Sequence, residues 1–264
     1  MRALKKQSIG IFGFGHMGQA IFKLLKADEK FKGCRFFIRS LGVSKVKGAK
    51  CVLSLKTLGE KSDIIFFCVK PQEFKNLAVE KIGSPKTIII SIMAGVKISA
   101  VRRMANTRKI IRAMPNLNLA IGESLTGWHA DKKQFSRTEL LTITNIFKTF
   151  GQDIFLKDEK QINSVTAVSG SGPAYVFLFM NALAGAATKL GFSRSDALLL
   201  VRQTIAGSLK YSEGENDLAG LIKKVTSKKG TTEAALKSLG SDRFYKQWEQ
   251  AIKKAYERAE ELSK

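Results

Sequence analysis

The stretch Ser8-Ile-Gly-Ile-Phe-Gly-Phe-Gly-His-Met-Gly18 decides how the first half of this 264-residue chain folds. The residues from Ser8 to Phe12 form an apolar run with the length of a buried β-strand. Three glycines follow at once in the pattern G-x-G-x-x-G. Beyond them, apolar residues recur at helical spacing: Met17, Ala20, Ile21, Leu24 and Leu25. A strand, a glycine turn and a helix in this order predict the opening of a βαβ unit.

In this setting the glycine turn is typical of a dinucleotide-binding site. Gly13 permits a tight turn, Gly15 lets a pyrophosphate approach the backbone, and Gly18 lets the helix pack closely on the strand. The N–H groups at the helix start favour an anion. We therefore take the following residues as candidate pyrophosphate ligands: Gly13, Phe14, Gly15, His16, Met17 and Gly18. The alternative is a glycine turn with a structural role only.

The spacing of apolar residues changes once along the chain. Strand-length apolar runs continue to about residue 113 with helical patterns between them, one of which contains Phe74, Leu77 and Ala78. After about residue 157 only long helical patterns remain, at 173–190, 194–212 and 241–262. The predicted fold class is α/β: an N-terminal Rossmann-type doubly wound parallel sheet, residues 1–157, and an all-helical C-terminal domain, residues 158–264.

The end of the second predicted strand indicates which nicotinamide cofactor is bound. A site for NAD usually has an acid there, which holds the ribose 2′-hydroxyl and repels a 2′-phosphate. This chain has Arg39 and Ser40 instead, and residues 31–59 contain no acid and seven Lys or Arg. Arg39 can fork onto a phosphate and Ser40 can donate to it, so we predict NADPH, with NADH also possible. The alternative for Arg39 is a solvated surface charge.

Other candidate cofactor residues follow later strands, because ligands of such sheets bind beyond the carboxyl ends of the strands. They lie in Cys68-Val-Lys-Pro71, Ser91-Ile-Met-Ala-Gly95 and Arg112-Ala-Met-Pro-Asn116, and are Val69, Lys70, Pro71, Met93, Ala94 and Asn116. Pro71 also suits the first turn of a helix, which is an equally good explanation of its presence.

Two motifs in the helical half are rich in hydroxyls. Ser169-Gly-Ser-Gly-Pro-Ala-Tyr175 places Pro173 at an expected helix start. Thr226-Ser-Lys-Lys-Gly-Thr-Thr-Glu233 predicts another helix start, with Thr231 as a candidate N-cap. Such a start can bind a carboxylate, and the alternative is that the hydroxyls only cap helices.

Composition excludes several other classes of protein. The three cysteines, Cys34, Cys51 and Cys68, are widely spaced and, with two histidines, give no readable metal site, so we expect free thiols in the cytoplasm and no metal. The start of the chain lacks the features of a signal peptide. The uncharged stretch 161–188 contains too few predominantly apolar residues for a membrane span, so we expect a buried or interface helix and no membrane.

Taken in order, six motifs resemble pyrroline-5-carboxylate reductase along essentially the whole chain: G-F-G-H-M-G, C-V-K-P, S-I-M-A-G-V, R-A-M-P-N, S-G-S-G-P-A-Y and T-S-K-K-G-T-T-E-A-A-L. The resemblance implies a reductase that makes L-proline from 1-pyrroline-5-carboxylate with NADPH or NADH, the last step of proline biosynthesis. It also implies a homodimer joined through the C-terminal helices, with decamers in some members. Each active site would combine the Rossmann domain of one chain with helices of its partner.

Carried over to this sequence, the resemblance assigns substrate binding to the loop before the helix at 231. Its matching residues are Ser227, Gly230, Thr231 and Thr232. Thr232 matches the hydroxyl that reaches the ring nitrogen, and Thr232 and Ser171 are the candidate catalytic residues. Where the family usually reads S-P-G-G-T-T, this chain has Lys228 and Lys229. These cations could attract the anionic substrate and so lower KM; the alternative is that they point to solvent and are merely tolerated.

The net charge of +23 leaves alternatives open. Residues 1–160 hold 30 basic and 12 acidic side chains, a net charge of +18, so the excess belongs to the half with the predicted cofactor site. Such a field can steer anionic reactants. It also suggests a basic nucleic-acid-binding protein, against which stands the lack of a recognisable nucleic-acid module, so we expect no nucleic acid as partner. Two further alternatives are a reductase of another cyclic imine or keto acid and a cofactor-binding regulator without turnover.

Overall fold

The structure is a computed structural model that describes residues 7–75 and 81–263. The chain forms two compact units. The first contains residues up to Gly172 and the residues from Ala255 onward, and the second runs from Pro173 to Lys254. The expected division between residues 157 and 158 stays a prediction about domains. In the structure the boundary between the two compact units falls later, after Gly172, because the helix that follows residue 160 contacts the sheet.

The first unit contains one eight-stranded sheet. Its order is β3-β2-β1-β4-β5-β6-β7-β8, and the first six positions have the order of a doubly wound dinucleotide-binding sheet. The strands are β1 Ser8–Phe12, β2 Arg35–Arg39, β3 Lys50–Cys51, β4 Ile64–Phe67, β5 Ile88–Ser91, β6 Ile110–Met114, β7 Ser124–His129 and β8 Gly151–Phe155. The predicted fold class is confirmed.

One part of the sheet differs from the predicted parallel arrangement. Strand β7 pairs antiparallel with β6, with Ala113 opposite Trp128, and β8 pairs parallel with β7. Neither β7 nor β8 was expected, because Gly127 interrupts the first and β8 is only half buried, so neither forms a continuous apolar run. The two strands extend the sheet beyond the cofactor-type core.

Helices cover both faces of the sheet. Alternate residues of β4 enter two different apolar clusters, Ile64 and Phe66 in one, Ile65 and Phe67 in the other. The helices are α1 His16–Ala27, α2 Leu55–Lys61, α3 Pro71–Lys75, α4 Ile98–Met104, α5 Arg137–Thr149 and α6 Gln161–Val165. The pattern at Leu77 and Ala78 lies outside the described residues. The sheet is therefore buried on both sides, as its continuous apolar strands predict.

The second unit is built from helices. They are α7 Gly172–Lys189, α8 Arg194–Tyr211, α9 Leu218–Lys224, α10 Thr231–Leu239 and α11 Ser241–Leu262. Helix α11 leaves this unit after Lys254, and its last turns belong to the first unit. The three long helices agree with the predicted ranges to within about one residue, whereas α9 and α10 are too short to have shown a periodic pattern.

From Gln161 to Lys189 the chain forms α6, a π-helical turn at Thr166–Gly170 and α7 in succession, with a bend at Ser171 just before α7 begins. Pro173 is the second residue of α7, so it lies in the first turn of a helix, as expected to within one residue. The 29 residues of this stretch are, by length and composition alone, long and apolar enough to cross a membrane. Fewer apolar residues were expected because the helical residues from Gln161 onward were not counted with those of α7, and the expectation of no membrane stays a prediction.

Candidate active site

The turn between β1 and α1 needs glycine at two positions for steric reasons. Gly13 has φ +92°, and a Cβ there would lie 2.7 Å from the backbone nitrogen of Val69. A Cβ on Gly18 would overlap the carbonyl oxygen of Gly13. At Gly15, by contrast, a Cβ would meet nothing within 4 Å. The turn is thus closed against the sheet at Gly13 and Gly18 and open at Gly15, as a turn that admits a ligand to its backbone requires.

The first turn of α1 is free of competing anions. Its N-cap, Gly15, offers no side-chain hydrogen bond, and the first turn contains no acidic residue. The side-chain nitrogen of Gln19 donates to the carbonyl of Phe14 at 3.0 Å, and this hydrogen bond stabilises the turn. His16 is exposed, whereas Phe14 and Met17 pack on the apolar core. Backbone N–H groups at this helix start, rather than side chains, are what the site offers to a pyrophosphate.

The end of β2 is attached to the same turn by two hydrogen bonds. The N–H of Gly13 donates to the carbonyl of Arg39 at 2.9 Å, and the N–H of Phe14 donates to the hydroxyl of Ser40 at 3.1 Å. The Nε atom of Arg39 is buried and has no hydrogen-bond partner among the described residues. A buried guanidinium nitrogen without a partner is costly, so this one is available to an acceptor from outside the chain.

A cavity of about 600 Å³ lies in front of these groups. Its lining includes Gly13, Phe14, Gly15, Arg39, Ser40, Leu41, Val43, Cys68, Val69 and Lys70. The residues fit NADP: open backbone at Gly15 for the pyrophosphate, and Arg39 with Ser40 for a 2′-phosphate. Leu41 and Val43 also line the cavity and were not among the predicted site residues; their position shortly after Ser40 is the sequence signal that could have found them.

The loops after β4 and β5 follow the carboxyl ends of these strands, and two of their predicted site residues have buried side chains. Val69 and Met93 are 8% and 2% exposed, and both side chains belong to the core. Lys70 is exposed, and Pro71 is the first residue of α3, which agrees with its helix-start explanation. Burial raises the pKa of the Cys68 thiol, so it stays protonated and offers no nucleophile here.

Asn116 joins the end of β6 to the serine-rich motif of the π-helical turn. Its side-chain nitrogen donates to the carbonyl and the hydroxyl of Ser169, both at 3.2 Å, and its side-chain oxygen accepts from the N–H of Asn118. The side chain is thus already engaged on both sides. Ser171 follows at the end of that turn, where its N–H donates to the carbonyl of Thr166 at 2.9 Å. π-Helical turns of this kind often occur at functional sites.

In the second unit, the loop before α10 presents an open helix start. Gly230 is the N-cap and makes no side-chain hydrogen bond, so Thr231 is the first helical residue and not the N-cap as expected. Thr232 is half-buried, and Ser227 and Thr231 are exposed. The uncapped N–H groups of this turn are suited to a carboxylate.

Lys229 has the unusual backbone in this loop. It is the only non-glycine residue with positive φ in the described part of the chain, at +58°. Its N–H donates to a carboxylate oxygen of Glu233 at 2.7 Å, which fixes the loop against the first turn of α10. Lys228 and Lys229 are both exposed. No group of three metal-ligating side chains occurs within residues 7–75 and 81–263.

This arrangement of sheet, glycine turn and arginine defines the class of NADP-linked Rossmann oxidoreductases. Family models agree with that class and refine it. Residues 8–95 match the model "NADP oxidoreductase coenzyme F420-dependent", and residues 159–262 match "Pyrroline-5-carboxylate reductase dimerisation".

Whole proteins give the same result. Pyrroline-5-carboxylate reductase of Pseudomonas aeruginosa is 37% identical over 206 residues, covering 76% of this chain and 75% of the relative. The Aquifex aeolicus enzyme is 32% identical, covering 96% and 97%. The crystal structure of the Plasmodium falciparum reductase with NADP bound superposes with a TM-score of 0.85 at 26% identity, covering 99% and 100%. The chain belongs to the pyrroline-5-carboxylate reductase family.

Proposed function

We propose that this protein reduces 1-pyrroline-5-carboxylate to L-proline with NADPH, in the cytoplasm. The observation that carries the cofactor assignment is the buried, unpartnered Nε of Arg39 beside a cavity that the open start of α1 also faces. The reaction is supported by the family to which the chain belongs. In this proposal residues 1–157 bind the cofactor, and residues 158–264 bind the substrate and form the dimer.

Bound NADPH supplies the hydride, so the protein's work is to hold the two reactants and to place a proton. The turn Gly13–Gly18 holds the pyrophosphate through backbone N–H groups, and Arg39 and Ser40 hold the 2′-phosphate. The loops at 69–71 and 93–94 and Asn116 border the ribose and nicotinamide. For Met93, whose side chain is in the core, only the backbone takes part.

The substrate carboxylate is held at the start of α10, where the N-cap is a glycine and N–H groups are free of side-chain caps. Thr232 then offers a hydroxyl to the ring nitrogen. The imine reacts already protonated, or receives its proton by way of this hydroxyl and water, with Ser171 as the second hydroxyl of the site. Fixing the carboxylate decides which face of the ring receives the hydride.

Self-association is supported by the exposed apolar residues of α7. Val176, Phe177, Leu178 and Phe179 are each between 48% and 67% exposed, and only 17% of the most apolar window of the helix is buried. An apolar patch of this kind marks an interface. Because the matching family model is a dimerisation model, we propose that α7 is a homodimer interface rather than a membrane span.

Steady-state assays test the reaction itself. We expect turnover of NADPH with 1-pyrroline-5-carboxylate, and a much lower kcat/KM with the six-membered homologue of that imine. A preference for the larger ring, or for a keto acid, would replace the proposed substrate by a related one. Binding of NADPH without single turnover of any of these would show a regulatory protein.

The variant Thr232→Ala tests the proton route. We expect kcat/KM to fall about 100-fold, the lower end of what a positioned proton donor contributes, while the Kd of NADPH stays unchanged. Thr232→Ser should restore most of the activity. Thr204→Ala is the matched control, because the Thr204 hydroxyl is used within α8 on the carbonyl of Leu200. An unchanged kcat/KM in Thr232→Ala removes Thr232 from the mechanism.

A further inference from the structure

Arg112 is the one arginine among the largest fully buried side chains of the described chain, with 2% of its surface exposed. It extends from β6. Its Nη1 lies 3.2 Å from a carboxylate oxygen of Glu159, and its Nη2 donates to Asn163 at 3.2 Å and to the Ser263 hydroxyl at 3.4 Å. We call Arg112, Glu159, Asn163 and Ser263 the arginine cluster. These contacts engage both Nη atoms, whereas Nε of Arg112 is buried and has no partner among the described residues. A buried charge is costly unless it is paired and hydrogen-bonded, so these partners help to keep Arg112 in place.

The carboxylate of the cluster has a second partner. The same Glu159 oxygen that meets Arg112 accepts the N–H of Ile98 at 2.8 Å. Ile98 is the first residue of α4, directly after the loop 92–97 that carries Met93 and Ala94. One oxygen atom therefore links the buried arginine to the end of this loop.

The end of α11 supports the loop from another side. Gly95 has φ +74°, and a Cβ there would overlap the carbonyl oxygen of Leu262. The next residue, Ser263, is 7% exposed, and its hydroxyl contacts both Arg112 and Asn163. The loop is thus held by Glu159 where α4 begins and by backbone packing at Gly95.

We propose that the arginine cluster positions the loop 92–97 for the nicotinamide, with Arg112 and Glu159 as positioning residues for hydride transfer. The inference rests on the proposed role of this loop in the function given above. The groups proposed to hold the pyrophosphate and 2′-phosphate lie elsewhere, at Gly13–Gly18 and Arg39. Loosening the loop therefore changes the geometry of the reacting carbon and leaves the anchoring of the cofactor intact, and a displacement of about 1 Å can cost 100-fold in rate.

The test compares Glu159→Ala with Glu159→Gln, whose amide oxygen can still accept from Ile98. In single-turnover experiments with the full-length enzyme, we expect the rate of hydride transfer to fall about tenfold in Glu159→Ala and about threefold in Glu159→Gln. The Kd of NADPH should change less than about twofold, and the deuterium isotope effect on kcat should increase where hydride transfer becomes more limiting.

Lys109→Ala is the matched control. Lys109 pairs with Glu139 at 2.6 Å, and the exposure of that pair, 22% and 23%, is close to that of Glu159, 27%. It should lower Tm and leave hydride transfer unchanged. If Glu159→Ala behaves in the same way, the cluster is structural only and the proposal is overturned.

Hydrogen exchange separates this inference from the proposed function. In the NADPH complex we expect faster exchange at Ile98 and in the loop 92–97 in Glu159→Ala, with exchange at Gly13–Gly18 unchanged. This readout does not require turnover, so it holds even if the enzyme acts on a different imine. Unchanged exchange at Ile98 would contradict the link between Glu159 and the loop.

Discussion

The two compact units of this protein differ in where their apolar side chains lie. In the first, the residues of β4 are buried among helices on both sides, and the larger of its two main apolar clusters includes Ile9, Phe66 and Trp128. In the second, the buried cluster is small, Ala184, Ala197 and Val201, whereas large side chains such as Phe177 are half exposed. The first unit has its own core, and the second needs another surface to cover it.

The largest effect should follow from a charge placed among the exposed apolar residues of α7. We expect Phe177→Asp to abolish self-association and to reduce activity more than 100-fold, since a lone buried carboxylate is costly in an apolar interface. Sedimentation equilibrium measures the first and a steady-state assay the second. Leu53→Asp is the control: Leu53 is 96% exposed in the first unit, and its substitution should change neither. Dimers that survive Phe177→Asp would show that α7 is not the interface.

Removing a buried side chain from the first unit should lower folding stability without affecting self-association. Ile65 is fully buried in β4, and Ile65→Ala should cost about 2–5 kcal/mol of folding free energy. Its loss of stability should be independent of protein concentration, whereas unfolding of the wild-type second unit should shift to higher urea as protein concentration rises. Urea unfolding at two protein concentrations checks this. If the unfolding of both units depended equally on protein concentration, the distinction between a unit with its own core and a unit stabilised by an interface would be wrong.

Removing the charge of Arg39 in the first unit should weaken cofactor binding without lowering the stability of the fold. Arg39→Gln should weaken NADPH about 10- to 100-fold, the equivalent of about 1.5–3 kcal/mol for a charged hydrogen bond, and leave NADH nearly unaffected. Fluorescence titration measures both. Arg35→Gln lies at the other end of β2, where Arg35 donates to Ser8 at 2.8 Å, and should change neither affinity. Equal weakening of NADPH and NADH would place Arg39 away from the 2′-phosphate.

The smallest effect should arise in the loop of the second unit. Lys229 has φ +58°, a conformation that costs a side-chain-bearing residue about 1–2 kcal/mol, so Lys229→Gly should raise stability by up to about 1 kcal/mol. The lost charge should raise the KM of the anionic substrate a few-fold at low salt. Lys229→Gln separates the two effects, because it removes the charge and keeps the backbone. A KM that does not respond to either variant or to salt would show that Lys229 has no part in attracting substrate.

How far the sequence predicts this structure depends on whether a feature is local. The strand and glycine turn from Ser8 to Gly18 were predictable because apolar spacing and the need for positive φ at Gly13 are properties of neighbouring residues. The position of Arg39 beside the same cofactor site was predictable too, because the carboxyl ends of parallel strands share one edge of the sheet. The start of the helix at Gln161, however, was hidden by the glycines around Ser171, which a π-helical turn accommodates.

The arginine cluster could not have been predicted at all. Arg112 reads as one more basic residue in a basic chain, and its partners Glu159 and Ser263 lie 47 and 151 residues away. Similarly, Asn116 is a plausible ligand by position, yet its bonds to Ser169 depend on tertiary packing. Long-range pairing of polar groups has no periodic signature, so only the folded structure shows it.

The wide separation of Arg112 and Ser263 has a consequence for how the protein is made. A ribosome synthesises β6 long before it adds Ser263, so the nascent chain must carry the arginine with an incomplete set of partners. The sheet and the glycine turn can form early, from segments close together in sequence, whereas contacts that close long loops form late. The loop at Gly95 can therefore pack against Leu262, and Arg112 can bond to Ser263, only when translation has passed the end of α11.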